Sequence, residues 1–286
     1  MTTPNATTAP TVALTRFAGR AGDHNDRAMV ASGYLADVIA DRLGAAVTTV
    51  GTPEPALSAN WDTELRAALP ALQSLAARYR DIFARGQVPV TALSRCAVAL
   101  STLPVVAAHR PDAVVVWFDA HADLNTPGNT STGYLGGLAF SGPLGMWDSG
   151  LGAGLATRNA VLVGARDLDA PEHALVDNGT VALVPVGPAM ADQLSEIIAG
   201  RPVYLHIDCD VLDAGIVPTD YLVPCGMTLN QLHACAEVIA RSEIVGLEVG
   251  ELETDEPTSR PAGADGREPA RSIVAALEPM LGPFSR

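Results

Sequence analysis

Two stretches of the chain end an apolar run in side chains that bind cations. One is Val114-Val115-Val116-Trp117-Phe118-Asp119-Ala120-His121-Ala122-Asp123; the other is Val203-Tyr204-Leu205-His206-Ile207-Asp208-Cys209-Asp210. In both, acids stand two residues apart at the outlet of a buried run. An extended backbone there would put Asp119, His121 and Asp123 on one side, and Asp208 with Asp210 likewise. Together the two outlets offer four carboxylates and one imidazole, enough donors for two divalent cations sharing bridging oxygens. Oxygen donors with few imidazoles suit a hard or borderline ion such as Mn²⁺ better than a zinc site built on thiolates. A pair of such ions lowers the pKa of a shared water toward neutrality and orients it for attack, which is hydrolytic chemistry. One cluster alone reads equally well as a polar turn, with Asp119 and Asp123 shaping the backbone and His121 a satisfied polar group. Two clusters at matching outlets, with Glu251 at a third, favour the metal site.

The elements that must hold these outlets together alternate along the chain. Strand character falls at 11–17, 47–50, 89–93, 114–118, 159–163, 181–186, 203–208 and 244–249. Helical spacing falls at 29–43, 60–83, 97–109, 171–178, 190–199, 228–241 and 271–281. Pro70 is expected to kink or split the second of these helices, and Pro104 to strain the third. Thr228 reads as a helix cap, with Asn230 and Gln231 in the first turn. The stretches 124–137 and 213–226 read as irregular. Alternation with no long linker and no repeat predicts one α/β domain over 11–286: a parallel sheet with helices on both faces. Residues 1–10 are expected to be a disordered tail. In such sheets ligands bind beyond the carboxyl ends of the strands, where Asp119, Asp208 and Glu251 fall.

Composition narrows the partners. The net charge is −14, and every one of the 18 basic residues is Arg. Nucleic acid is a poor partner for such a chain, because its phosphates need a cationic face. A small cationic substrate is compatible with it. No apolar stretch approaches bilayer length, and the polar start lacks the form of a signal peptide. The four cysteines show neither disulfide nor zinc spacing, which predicts a reducing, cytoplasmic setting. Homo-oligomerisation is left open.

Asp119-Ala-His121-Ala-Asp123, Asp208-Cys-Asp210-Val-Leu-Asp213 and Gly246-Leu-Glu-Val-Gly-Glu251 resemble three signatures of the ureohydrolases, the arginase, agmatinase and formiminoglutamase enzymes. The resemblance runs from about Pro89 to Glu251. It implies a three-layer α/β/α sandwich holding two Mn²⁺ ions. Asp119 and Asp208 would bridge the metals, Asp123 would complete site A, and His121 and Asp210 site B. Glu251 would pair with the substrate's guanidinium, and Asp123 and Glu251 are the catalytic candidates. Two departures stand out. Where the family has Gly-Gly-Asp-His, with that His on site A, this chain has Leu93-Ser94-Arg95-Cys96. Cys96 falls on the ligand position, and a softer thiolate should hold Mn²⁺ weakly there; a buried, inert cysteine is the plainer alternative. The second departure lies in the loop after Asp119-Ala-His121-Ala-Asp123, where Gly136 takes the place of an arginase His.

The arginase pattern for the amino-acid end of the substrate is largely retained. Asp169 matches the position that receives the α-ammonium, and would also serve as an N-cap before Pro171. Asn125 and Thr132 match positions that contact the α-carboxylate, while Tyr134 departs from the usual Asn. The His-to-Cys exchange resembles the branch that hydrolyses Nω-hydroxy-L-arginine, known from antibiotic biosynthesis. An N-hydroxylated guanidine is less basic and needs less proton delivery on departure, and Gly136 leaves room for the hydroxyl. The expected products are L-ornithine and hydroxyurea. The alternatives are an arginase or other guanidino-acid hydrolase, and a non-catalytic relative that has lost site A. His24, His109, His173 and His233 read as surface or helix residues, Asp213 as a loop-shaping residue, and His206 as a group that hydrogen-bonds a metal ligand from behind.

Overall fold

Runs of valine form central strands when both sheet faces are covered, because β-branched side chains pack well on a pleated surface hidden from water. A computed structural model describes residues 11–254 and 266–285; the tail expected over 1–10 lies outside the described residues. All the expected strand segments form strands: β1 (Val12–Phe17), β2 (Val47–Val50), β3 (Val88–Ala92), β4 (Val114–Phe118), β5 (Ala160–Val163), β6 (Ala182–Val184), β7 (Val203–Asp208) and β8 (Ile244–Gly250). They make one eight-stranded sheet in the order β2-β1-β3-β8-β7-β4-β5-β6, and every pairing is parallel.

Helices cover both faces: α1 (Arg27–Leu43), α2 (Trp61–Ala84), α3 (Ala99–His109), α4 (Ala170–Asp177), α5 (Met190–Ile198), α6 (Leu229–Ile239), α7 (Glu268–Ala276) and α8 (Glu278–Leu281). The central strands feed both layers by alternation. Val114, Val116, Phe118, Leu205 and Ile207 pack with α1 and α5 to α8. Val115, Trp117 and Tyr204 pack with α2 and α3 on the other side. The result is the three-layer α/β/α sandwich. No helix among the described residues is long and apolar enough to cross a membrane.

Local expectations fail at two places. Pro70 neither splits nor ends α2, which runs unbroken over 24 residues. Pro70 and Arg66 are exposed, so water can reach the carbonyl that loses its helical partner. The closing helix, expected to be continuous over 271–281, is instead two. Pro279 supplies no N–H to the turn before it, and α7 ends at Ala276. Thr228 caps α6 as expected, in a reciprocal capping box with Gln231.

Candidate metal centre and substrate pocket

The strands β3, β8, β7 and β4 are neighbours in the sheet, so parallel pairing brings their carboxyl ends to one place. β4 ends at Phe118, and the chain then bends; Asp123 sits in the left-handed region at φ 54°. Asp119, His121 and Asp123 therefore do not share one side of an extended strand. The bend divides them between two overlapping groups whose ligand atoms all lie within 4.8 Å of one another: Cys96, Asp119 and Asp123 in one, Asp119, His121 and Asp210 in the other. A third group of the same kind joins Cys96, Asp208 and Glu251. Asp210 follows β7 in a short 3₁₀ turn, where its N–H donates to Asp208 Oδ1 at 2.7 Å.

Neighbours fix each donor. Trp117 Nε1 donates to Asp119 Oδ2 at 2.9 Å, and its indole is stacked on the His206 ring at 3.5 Å and on Phe140 at 4.6 Å. His206 Nδ1 is 2.7 Å from Glu248 Oε1, and Nε2 is 3.1 Å from Cys96 Sγ. Cys96 Sγ also donates to Asp208 Oδ2 at 3.2 Å. Glu248, buried in the sheet, accepts from Tyr204 and Thr102 as well. Arg166 spans six main-chain carbonyls, those of Gly164, Asp210, Val211, Leu212, Val223 and Pro224. It thereby ties the outlet of β5 to the irregular segment that follows Asp210.

The electrostatics call for positive charge. Among the described residues no arginine forms an ion pair with Asp119, Asp123, Asp208 or Asp210, although all four acids are buried. Burial, then the charges of neighbouring acids, hold Asp123 and Asp208 well above the usual carboxylate range. Burial would lower the His121 pKa, but hydrogen bonds to Asp119 and Asp210, each at 3.2 Å, carry it up to about 12. Burial and the charges of Asp208 and Glu251 push the Cys96 thiol well up. A donor set of carboxylates, one imidazole and one thiol, short of compensating charge, fits divalent cations.

A pocket opens from this cluster, lined by His121, Asp123, Asn125, Thr132, Asp169 and Tyr221 among others. Asp169 caps α4 in a box with Glu172 and accepts from Asn125 Nδ2 at 2.8 Å, and Asn125 Oδ1 is buried without a partner among the described residues. Thr132 is exposed at the mouth, its Oγ1 accepting from the Tyr134 N–H. Asp213 shapes the following segment, accepting from the Gly226 N–H at 3.0 Å.

Glu251, at φ 59°, is engaged from within the chain. Its Oε1 accepts from the Cys96 N–H at 2.8 Å, and its Oε2 from Arg95 Nη1 at 2.7 Å. Burial carries its pKa up to about 7 against the pull of Arg95. Arg95, wholly buried, also pairs with Asp23 at 3.1 Å and Glu253 at 2.8 Å. In the sequence Arg95 is visible only as a departure from the family pattern, because the partners of this network lie far apart along the chain. His24, read from sequence as a surface or helix residue, pairs with Asp220 at 2.9 Å and stacks on Tyr134, which lines the pocket.

This fold, with acids and an imidazole gathered at the outlets of its central strands, is that of the binuclear-metal amidinohydrolases. The arginase family model matches residues 36–264, and the chain belongs to that family. It is similar to the N(omega)-hydroxy-L-arginine amidinohydrolase of Streptomyces lavendulae, with 38% identity covering 93% of this chain and 94% of the relative. The arginase of Bacillus caldovelox is 27% identical over 63% of this chain and 66% of its own. The solved structure of that arginase superposes with a TM-score of 0.79 over 96% of this chain and 98% of the other. Proclavaminate amidino hydrolase from Streptomyces clavuligerus shares the fold at a TM-score of 0.70, covering 96% of this chain and 93% of its own.

Proposed function

We propose that this protein hydrolyses Nω-hydroxy-L-arginine to L-ornithine and hydroxyurea with two Mn²⁺ ions, in the cytoplasm and as part of antibiotic biosynthesis. In this reading residues 11–286 act as one domain. The observation that carries it is the single pocket joining His121 and Asp123, beside the acid cluster, to Asn125 and Asp169. One end suits a guanidine carbon and the other an amino-acid head. The choice of the hydroxylated substrate rests on similarity to the Streptomyces lavendulae enzyme and on Cys96 in the donor cluster.

Asp119, Asp208, Asp123, Cys96, His121 and Asp210 would hold the ions, with Asp119 common to the Cys96–Asp123 and His121–Asp210 groups. When bound, the ions supply the charge that makes water nucleophilic near neutral pH. The chain does the rest by positioning. Asp169 accepts the substrate's α-ammonium, while Asn125 and Thr132 fix the α-carboxylate side. Glu251, steadied by Arg95 and the Cys96 N–H, accepts from the guanidine nitrogens. Asp123 orients the attacking water from its strained position after β4.

Purified protein loaded with Mn²⁺ should turn over hydroxyarginine much faster than arginine, with hydroxyurea as the co-product of ornithine. The reverse preference would overturn the reading.

A further inference from the structure

One buried hydroxyl of the pocket, Tyr134 Oη, has no hydrogen-bond partner among the described residues. The ring itself is held, stacked on His24 with centroids 4.5 Å apart and beside Tyr221 at 6.0 Å. Its position depends on the residue two places on. A Cβ at Gly136 would stand 2.3 Å from Tyr134 Cε1, 2.7 Å from Cζ and 3.0 Å from Oη. The phenol therefore occupies the volume into which any side chain at 136 would project. Gly136 does not adopt a positive φ, so the glycine is needed for space and not for its backbone freedom.

The phenol lines the same pocket as His121 and Asp123 of the acid cluster, and the charges it feels most strongly are those of Glu251 and Arg95. Burial and the Glu251 charge keep it protonated, so it is a hydrogen-bond donor. A guanidinium presents N–H donors and no acceptor. Arginine would therefore leave the Tyr134 proton unbonded in a buried site, which is unfavourable. An N-hydroxyguanidine brings an oxygen that can accept it.

We propose that Tyr134, seated by Gly136, determines substrate choice by donating a hydrogen bond to the Nω-hydroxyl oxygen. The inference rests on the hydroxyarginine reading above and adds the residue that enforces it.

Tyr134→Phe deletes one oxygen and keeps the ring. In the Mn²⁺-loaded enzyme the ratio of kcat/KM for hydroxyarginine to that for arginine should fall about tenfold or more, as for a site built to bond a substrate hydroxyl. Calorimetric titration with hydroxyguanidine and with guanidine should shift the same way, hydroxyguanidine losing its advantage in Kd. Gly136→Ala should displace the ring and reproduce the loss of selectivity. In a Tyr134→Ala background the effect of Gly136→Ala should be about fivefold smaller or less, because the clash is gone. Equal losses on both substrates and both ligands would mean a merely structural role and overturn the proposal, as would an unchanged ratio. If the wild-type enzyme does not hydrolyse hydroxyarginine at all, the functional reading itself falls, an outcome distinct from an active enzyme indifferent to Tyr134→Phe.

Discussion

Arg95→Met tests the buried ion network behind the site. Methionine keeps most of the volume and removes the one buried charge facing Asp23 at 3.1 Å, Glu251 at 2.7 Å and Glu253 at 2.8 Å. Removing one partner of a buried ion pair costs about 3–5 kcal/mol, because the other charge is left uncompensated. Arg27 still pairs with Glu253 at 2.6 Å, so Asp23 and Glu251 carry the loss. We therefore expect the lower end, about 3 kcal/mol, or a Tm lower by about 6–12 °C for a chain of this size. The pH dependence has a definite sign. Burial already holds Asp23 above the usual carboxylate range and Glu251 up to about 7, in both cases against the pull of Arg95. Without that cation both rise further. An acid whose folded pKa is raised destabilises the fold once ionised, so the deficit is full above that pKa and shrinks as pH falls through it. Urea unfolding of the metal-free variant and wild type, followed by tryptophan fluorescence, should show the larger gap at about pH 8 and the smaller at about pH 5.5. A gap under about 1 kcal/mol at the higher pH, or one that widens on acidification, would refute the argument.

Cys96→His should raise Mn²⁺ affinity by about tenfold or more, since imidazole suits Mn²⁺ better than a buried thiol; metal titration against a chelating indicator reads it directly. Asp119→Ala removes a donor common to two groups and should lower bound metal and turnover together, by about a hundredfold in activity. Asp169 does two jobs that separate on substitution. Asp169→Asn keeps a capping oxygen and should raise KM with little change in Tm, whereas Asp169→Ala should raise KM and also cost about 1 kcal/mol of stability. Thr228→Ala breaks a capping box far from the site and should lower Tm by about 2–4 °C with kinetics unchanged.

The strand ends were legible because two local signals coincide there: β-branched runs that demand burial, and acids that have no place in a core unless something binds them. Asp208 and Asp210 stand beside Asp119 because β7 and β4 pair directly, a neighbourhood that alternation of elements does not by itself give. The sharing of Asp119 and the division of Asp123 from His121 follow from the resemblance, but the bend at Asp123 that produces them leaves no mark in the spacing, which reads as extended. Arg95 was illegible for another reason. Its partners Asp23 and Glu253 lie 72 and 158 residues away, and no local pattern records such a meeting. His24 looked bland because Asp220, 196 residues on, is what brings it to the pocket rim. Gly136 reads from the sequence as leaving room for the substrate's hydroxyl, whereas the Tyr134 ring fills that space. Pro70 misled in the opposite direction: a strong local rule gave way to a helix whose other face is packed into the core.

The Arg166 clamp has a consequence for how this enzyme can change. Its guanidinium grips only main-chain oxygens along 210–224, and a peptide carbonyl is the same acceptor whatever residue bears it. Arg166 thus grips the main chain of that segment whatever side chain Tyr221, on the pocket wall, is exchanged for, while Asp213 and Asp220 add bonds of their own. Tyr221 can therefore be exchanged, and new substrates explored, while the main chain keeps its path and Asp210 its aim.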